Sequence, residues 1–404
     1  MNKKNSILIL VIFGFVFCTP TTITSFQEDQ SWKNRLLDAN GTTVNMAMWG
    51  GDPMINQYMN DFIIPHLKDH FNIQLDIAYA QGNTIVSQIM AEKVAKSLYN
   101  SYDLVWINGE TFYQLRQLDA LMGNWTSKLP NARYVDFDNP YIGIDFNQPI
   151  EEYECPWGSV QFTLIYNNKY IENPPLTRAE LLQFVKKYPG KFTFDMGFTG
   201  LTLLKSWLID FSGSPNGLKG PYNPDLYQKL SKQLWDFVFE IQPYLWKKGL
   251  TFPESVSAMH QLFSSEELWI TMSNNHTEVD NKFYQGVFSQ SARAYVPEYG
   301  SIRNAHYLGI PIKASNPVGA MIVTNFLISP KAQFQKADPL VWGDGTVLKI
   351  SSLPDSLQSK FDNIPHFISS PDINDPTVKA LSEPAPEYMI KLAEDFRKVI
   401  LKQE

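Results

Sequence analysis

Strand-like runs alternate with helical patterns over the first part of the chain. Residues 43–49 and 73–79 read as strands, and each is followed by apolar residues at helical spacing. A third run, Leu104–Ile107, is apolar throughout and stops at Asn108-Gly109, two residues that tolerate a positive φ. Such continuous apolar runs are typical of strands buried on both faces of a parallel sheet. The pattern predicts a βαβαβ unit of a doubly wound α/β sheet.

A second α/β region begins with the predicted strand at residues 161–166. Helical patterns follow, and a further strand is predicted at Leu268–Met272. The segment from His306 to Trp342 has no partner sheet of its own and most simply returns to the first region. A chain that crosses more than once between two regions forms a hinge, and a cleft between lobes is a common place for a small molecule.

These crossings divide the chain into two predicted lobes, as expected for 404 residues. We assign residues 41–158 and 306–345 to the first lobe. Residues 159–305 and 346–404 form the second.

The N-terminus has the pattern of a signal peptide, which we place at residues 1–25. Basic Lys3 and Lys4 precede an uncharged apolar run that is too short to span a bilayer. We do not expect a lipid anchor at Cys18, because bulky Phe17 precedes it. Cleavage leaves Cys155 as the one remaining cysteine, so no intrachain disulfide is expected. This composition fits a bacterial periplasm better than a disulfide-rich secreted enzyme.

The charge of the chain argues against two classes of partner. The formal net charge is −7, which disfavours binding to nucleic acid or to anionic membrane surfaces.

Catalytic motifs are largely missing from the sequence. Glycine-rich phosphate loops, nucleophile elbows and the metalloprotease helix motif do not occur. His66 and His70 with Asp69 are the best metal candidates, but they read as a solvated helix end. Two groups of acidic residues in loops read as surface charge: Asp136 and Asp138, and Glu151, Glu152 and Glu154. We therefore predict no catalytic residue, no metal site and no cofactor.

Residues suited to binding lie instead where predicted strands end and helices begin. They combine aromatic rings, carboxylates, amides and glycines, and they are Trp49, Gly50, Gly51, Asp52, Asn108, Gly109, Glu110, Trp157, Thr199, Gly200 and Asn274. Ligands of open α/β sheets sit at the carboxyl ends of the strands. Aromatic faces beside carboxylates suit a cationic or heteroaromatic solute, whereas helix N-termini suit an anionic group. We favour a cationic solute, because the carboxylates of Asp52 and Glu110 at the edge of the cleft would repel anions.

Several motifs in order resemble those of the YnjB-type substrate-binding proteins of ABC transporters. They include residues 49–52, residues 103–112, Pro156-Trp157-Gly158, residues 198–200 and residues 341–344, and the similarity extends from about residue 43 to 355. The resemblance implies a periplasmic binding protein fold of the second class, with two α/β lobes joined by a hinge. It also implies a membrane permease and an ATPase as partners, and no catalysis.

We therefore expect a monomeric, exported solute-binding component of an ABC importer that works in the periplasm. Two alternatives remain open at this point. One is an exported hydrolase that uses two carboxylates on a carbohydrate, and the other is a ligand sensor that signals to a receptor.

Overall fold

The computed structural model describes residues 30–80, 82–365 and 369–400. The predicted signal peptide at residues 1–25, with Cys18, lies outside these residues. None of the helices in the described ranges has both the length and the apolar composition of a membrane span.

Eleven strands occur in the described residues, and most of them form two sheets. Their bounds are β1 Thr43–Met48, β2 Gln74–Tyr79, β3 Leu104–Ile107, β4 Ile144–Asp145, β5 Gln148–Pro149, β6 Glu154–Gln161, β7 Thr163–Asn167, β8 Ile270–Ser273, β9 Ala292–Tyr295, β10 Ser301–Gly309 and β11 Ala380–Leu381. The first sheet has the order β11-β10-β3-β1-β2, and β6 also pairs with β10. β1 is parallel to both β2 and β3, as the strand pattern predicts.

Helices cover both sheets, and fourteen α-helices lie in the described residues. They are α1 Gln30–Ala39, α2 Pro53–Gln57, α3 Ile64–Phe71, α4 Asn83–Val94, α5 Glu110–Gln117, α6 Arg178–Lys187, α7 Phe198–Phe211, α8 Pro224–Ile241, α9 Val256–Ser264, α10 Glu278–Tyr284, α11 Pro317–Leu327, α12 Pro330–Ala337, α13 Asp355–Asp362 and α14 Pro386–Val399. A π-helical segment, Tyr58–Ile63, joins α2 to α3.

The second sheet is antiparallel and has the order β8-β7-β9. The chain enters it directly from β6, through Phe162, and leaves it from β9 towards β10. β6 and β10 pair antiparallel from Arg303 opposite Gln161 to Gly309 opposite Glu154. This long strand pair therefore connects the two sheets, as expected for hinge strands.

Two large hydrophobic clusters correspond to the two lobes. The first packs β1 and β3 against α1, α2, α3, α11 and α12, and the second packs β7 and β8 against α6, α7, α8 and α14. Leu353 and Phe361 belong to the first cluster, so the assignment of residues 346–364 to the second lobe is corrected. Trp32 also packs there, which places α1 in the first lobe. Sequence reasoning did not place residues 346–364 and α1 in the first lobe, because both segments are short and contain no strand.

Candidate functional site

The turn after β1 is shaped by two aromatic rings. Trp49 is half-buried, and its ring meets Trp106 edge to face at 6.5 Å between centroids. A Cβ at Gly50 would come within 2.3 Å of the Tyr79 ring, and one at Gly51 within 2.4 Å of the Trp49 ring. The two glycines are therefore needed so that these rings can lie directly against the backbone. Trp49 remains a partly exposed aromatic face at this edge of the sheet.

Asp52 is the N-cap of α2, as predicted, but it is not a free acceptor. Its Oδ1 accepts from the backbone N–H of Met54 at 2.8 Å, and its Oδ2 is bound by the ammonium group of Lys282. Lys282 lies on α10 of the second lobe, and it also contacts Glu278 at 3.2 Å. Burial alone would lower the pKa of Lys282, but Glu278 and Asp52 raise it above its ordinary value. Lys282 therefore stays charged and is paired with the Asp52 carboxylate, which the sequence analysis predicts as an acceptor for the solute.

Two further hydrogen bonds accompany this ion pair across the lobes. The Thr277 hydroxyl donates to the Gly343 carbonyl, and the Asn281 amide donates to the Pro339 carbonyl at 3.3 Å. We call these three contacts the α10 clasp: Lys282 to Asp52, Thr277 to Gly343, and Asn281 to Pro339. All of them are polar, so the lobes touch here without a shared apolar core.

Trp157 is fully buried, which corrects its predicted role as an aromatic face for the solute. Its ring packs edge to face against Trp106 at 5.0 Å, His306 at 5.4 Å and Trp342 at 5.3 Å. In this structure the ring offers no face to a ligand. Its contacts instead hold the hinge strand β6 against the first lobe, because large buried aromatic pairs add specific packing to burial.

A buried ion group fixes the turn that follows α12. Asp344 accepts from Lys336 and faces the His306 Nε2 at 2.9 Å, and all three side chains are buried. Burial would raise the pKa of Asp344, but Lys336 and His306 lower it below the usual range. A Cβ at Gly158 would lie 1.9 Å from the Asp344 carboxylate, so only glycine fits at this point of β6. The group ties hinge strand β10 to the first lobe through His306, and β6 packs against it at Gly158.

The turn after β3 is bound to a carboxylate that sequence reasoning missed. Gly109 has a φ of +52°, and its backbone N–H donates to the Asp145 Oδ2 at 2.6 Å. Glu110 begins α5, is half-buried and accepts from the Gln114 amide at 2.8 Å. Asn108 is also half-buried. Residues 108–110 therefore form the turn at the carboxyl end of β3, and the Asp145 carboxylate is bound to its backbone.

Asp145 is one of four buried ionisable side chains that are linked pairwise by an ion pair or by the effect of one charge on another. Asp145 and Glu154 come from the first lobe, and Lys205 and Glu383 come from elements that pack in the second. We call them the acidic junction. Lys205 binds Glu383 at 2.8 Å between Nζ and Oε1. Burial, and then Glu383, raises the pKa of Asp145, while burial, and then Asp145, raises that of Glu154.

Glu154 corrects the prediction that residues 151, 152 and 154 are simply surface charge. Glu151 is exposed, but Glu154 is fully buried at the start of β6. A signal was available in the sequence: Glu154 directly precedes the apolar Cys155, and its neighbours continue into a strand. Asp145 sits likewise between Ile144 and Phe146.

The predicted residues of the second lobe lie together. The Asn274 amide donates to the Thr199 hydroxyl at 2.9 Å, which joins the end of β8 to the first turn of α7. A Cβ at Gly200 would meet the Asp195 carbonyl at 2.0 Å, so the glycine allows the helix to start against residues 195–197. Asp195 in turn accepts from the Gly197 N–H at 2.7 Å.

The histidine pair on α3 packs instead of forming a metal site. The rings of His66 and His70 stack at 3.8 Å, and His66 also stacks on Phe326 at 4.0 Å. Burial, and then the nearby Lys331, lowers the pKa of His66 to about 4. Within the described ranges, no group of three or more His, Cys, Asp or Glu side chains is arranged to hold a metal ion.

Comparison with known proteins decides the class of this two-lobed molecule. The family model for the bacterial extracellular solute-binding proteins matches residues 57–363, which is more than half of the chain. The chain is also 35% identical over 349 residues to the protein YnjB of Escherichia coli (strain K12), covering 84% of this chain and 89% of that protein. The chain belongs to the bacterial extracellular solute-binding proteins. The resemblance to the YnjB-type substrate-binding proteins of ABC transporters is thereby confirmed.

Solved structures show the same fold at low sequence identity. A putative spermidine/putrescine ABC transporter protein from Listeria monocytogenes superposes with a TM-score of 0.61 at 16% identity, covering 88% of this chain and 98% of that chain. The periplasmic binding protein AfuA from Actinobacillus pleuropneumoniae, with fructose-6-phosphate bound, gives 0.62 at 12% identity, covering 90% and 99%. The predicted fold, two α/β lobes of the second periplasmic binding protein class, is confirmed. For a solute-binding protein of this class, the inter-lobe surfaces described above form the candidate site.

Proposed function

We propose that this solute-binding protein captures a small polar solute between its lobes and delivers it to an ABC permease that is driven by an ATPase. It would act as a monomer in the periplasm after export, without catalysing a reaction. We propose further that the solute is cationic or heteroaromatic. The fold itself accommodates ligands of either charge, because its solved structures include a putative spermidine/putrescine ABC transporter protein and AfuA with fructose-6-phosphate bound.

One observation carries the proposal: two separately packed lobes joined by the β6–β10 strand pair, with polar contacts between the facing surfaces. The α10 clasp joins them through one ion pair and two hydrogen bonds. Asn147 adds a hydrogen bond to the Lys219 carbonyl at 3.0 Å on the other side. Contacts of this kind can be remade with water when the lobes open. Hinge closure around a ligand is the motion that such an arrangement supports.

The ligand-binding residues stay a prediction after these corrections. Trp49 supplies a half-buried aromatic face, and Asn108 and Glu110 supply polar groups at the neighbouring strand end. Thr199 and Asn274 supply the facing groups of the second lobe. Asp52 acts first as the partner of Lys282, and Trp157 supports the hinge.

The test is ligand-dependent stabilisation of the exported chain without turnover. Binding to the folded state alone raises the unfolding temperature with ligand concentration. We expect at least one small polar compound to do so and to be recovered unchanged. Consumption of a carbohydrate or ester, abolished by a carboxylate substitution, would contradict the assignment. Uptake of the same compound into vesicles that contain the permease and ATPase would separate transport from sensing.

A further inference from the structure

The helix that follows β2 begins without a cap of its own. α4 covers Asn83–Val94, no described side chain caps it, and its first turn contains no acidic residue. The first N–H groups of a helix have no partner within the helix, and they favour a negatively charged acceptor. The neighbouring α2 differs, because the Asp52 side chain caps it. The N-terminus of α4 therefore presents backbone donors that no side chain of the described residues uses.

A matching turn in the same lobe shows which group this backbone binds. Gly82 precedes α4 with φ +47° and ψ −119°, and Gly109 precedes α5 with φ +52° and ψ −119°. At the second of these turns the Gly109 N–H donates to the Asp145 carboxylate at 2.6 Å. At the first, no described side chain is bound to the cap. The backbone conformation that binds an internal carboxylate thus occurs a second time without one.

A buried hydroxyl group points at the Gly82 turn. Thr111 is only 7% exposed, and its Oγ1 lies 3.7 Å from the position that a Cβ at Gly82 would take. Within the described ranges this hydroxyl has no hydrogen-bond partner. Buried polar groups in folded proteins nearly always have a partner. The unpaired hydroxyl is an observation independent of the helix terminus, and it indicates that a group from outside the chain binds here.

The turn has room for a ligand and lies at the edge of the sheet where the candidate site is. An open pocket of about 420 Å³, a volume in the range of small-molecule sites, is lined by Asn83, Thr84, Ser87 and Gln88. β2 is parallel to β1, so both strands end at this edge. A Cβ at Gly50 would lie 2.3 Å from the Tyr79 ring, which shows how closely the two strand ends approach.

We propose that the N-terminus of α4, with the Thr111 hydroxyl, binds an oxyanion of the solute, either a carboxylate or a phosphate. This deepens the proposed function and rests on it. The solute then carries an oxyanion as well as its cationic or heteroaromatic part. The two charges have separate places, because the carboxylates of Asp52 and Glu110 follow β1 and β3, whereas the first turn of α4 has none. Glu110 also accepts from Gln114 on its own helix at 2.8 Å.

Matched probes test this assignment by calorimetric binding and by the melting temperature of the full exported chain. Phosphoethanolamine and nicotinate carry an oxyanion beside an amine or a heteroaromatic ring. Ethanolamine and nicotinamide are the corresponding compounds without the oxyanion, and inorganic phosphate tests the free ion. All titrations are run at constant ionic strength, because general screening would otherwise change with the charged probes.

Three variants separate binding from folding. Thr84→Glu places a carboxylate at the second position of α4, where it interacts favourably with the helix dipole and repels a bound oxyanion. It should therefore keep or raise the melting temperature while it weakens binding. Thr111→Val keeps the shape of the side chain and removes the hydroxyl. Ala91→Glu is the matched control, because it makes the same change of charge at an exposed position about two turns further along α4.

We expect at least one oxyanion probe to bind, and its counterpart without the oxyanion to bind at least about tenfold more weakly. Thr84→Glu and Thr111→Val should each weaken the oxyanion probe at least about tenfold, and Ala91→Glu should leave it unchanged. Unchanged affinity in both threonine variants would overturn the placement at α4.

The remaining outcomes separate the ligand class from the function. Equal binding of a probe and its counterpart, or binding of only ethanolamine or nicotinamide, would overturn the oxyanion while leaving the solute-binding function standing. Binding of inorganic phosphate alone would overturn the organic solute and assign the turn to the free ion. If no probe binds, the inference fails; if a wider panel of small polar solutes also gives no stabilisation, the proposed function fails with it.

Discussion

The ion pair between Asp52 and Lys282 can be removed without losing the cap of α2. Asp52→Asn keeps an acceptor for the Met54 N–H, because asparagine is as good an N-cap as aspartate. It removes the negative charge that Lys282 binds across the lobes. Asp52→Ala removes both the pair and the cap. The two variants therefore separate the contribution of the clasp from that of the helix terminus.

The structure sets the size of each effect. The side chains of Lys282 and Asp52 are 9% and 12% exposed, so solvent screens the pair little. Breaking a fully buried pair costs about 3–5 kcal/mol. Lys282 keeps Glu278 at 3.2 Å in the variant, so we expect Asp52→Asn to lower the free energy of unfolding by about 2 kcal/mol, near the value for a charged hydrogen bond. Asp52→Ala should lower it by about 1 kcal/mol more.

Urea unfolding at neutral pH measures these differences, and small-angle scattering of the ligand-free protein measures the opening of the lobes. Asp236→Asn is the control, because its pair with Lys232 is exposed and should contribute nothing measurable. The reasoning is refuted if Asp52→Asn is as stable and as compact as the wild type. Equal losses in Asp52→Asn and Asp52→Ala would show that the cap contributes nothing.

Three further predictions follow from the site and the junction. The raised pKa of Glu154 means that its stabilising contribution is present below about pH 4.3, the usual value for Glu, and is lost as pH rises through the higher folded-state value. Thermal unfolding should therefore show a smaller loss of stability with rising pH in Glu154→Gln than in the ligand-free wild type, and equal slopes would contradict this. Trp49→Ala and Glu110→Ala should each weaken the bound solute at least about tenfold, or about 1.4 kcal/mol, by calorimetry, and unchanged affinity in both would reject these two residues. Cys155 is buried, and burial raises the pKa of its thiol, so iodoacetamide should modify it only after unfolding; rapid labelling of the native protein would show that the strand opens.

Local pattern was sufficient to predict β3 and the helix start at Asp52. The apolar run at Leu104–Ile107 forms β3 as predicted, and Gly109 has the positive φ that ends it. Asp52 and Pro53 begin α2 as cap and first residue. Each of these predictions depends on neighbours within a few residues, so it holds whatever the tertiary contacts of the segment are.

The carboxylates show where local pattern was insufficient. Residues 151, 152 and 154 have the same acidic character in the sequence, yet only Glu154 is covered completely, because it lies in the hinge strand between the two lobes. Trp157 similarly looked like a loop residue beside glycines, but three aromatic rings from other parts of the first lobe enclose it.

The order of its motifs carried the resemblance to the solute-binding family. The sequence alone determined the alternation of strands and helices, and the strand ends where polar residues collect. These depend on periodicity and turn chemistry, which are properties of short segments. Only the tertiary structure decided which charges are paired. Asp52 meets a lysine 230 positions away, and Glu383 meets one 178 positions away, while both oxygens of Glu154 lack a donor among the described residues. Burial and pairing of a charge depend on how the lobes close over it, and no local pattern encodes that contact.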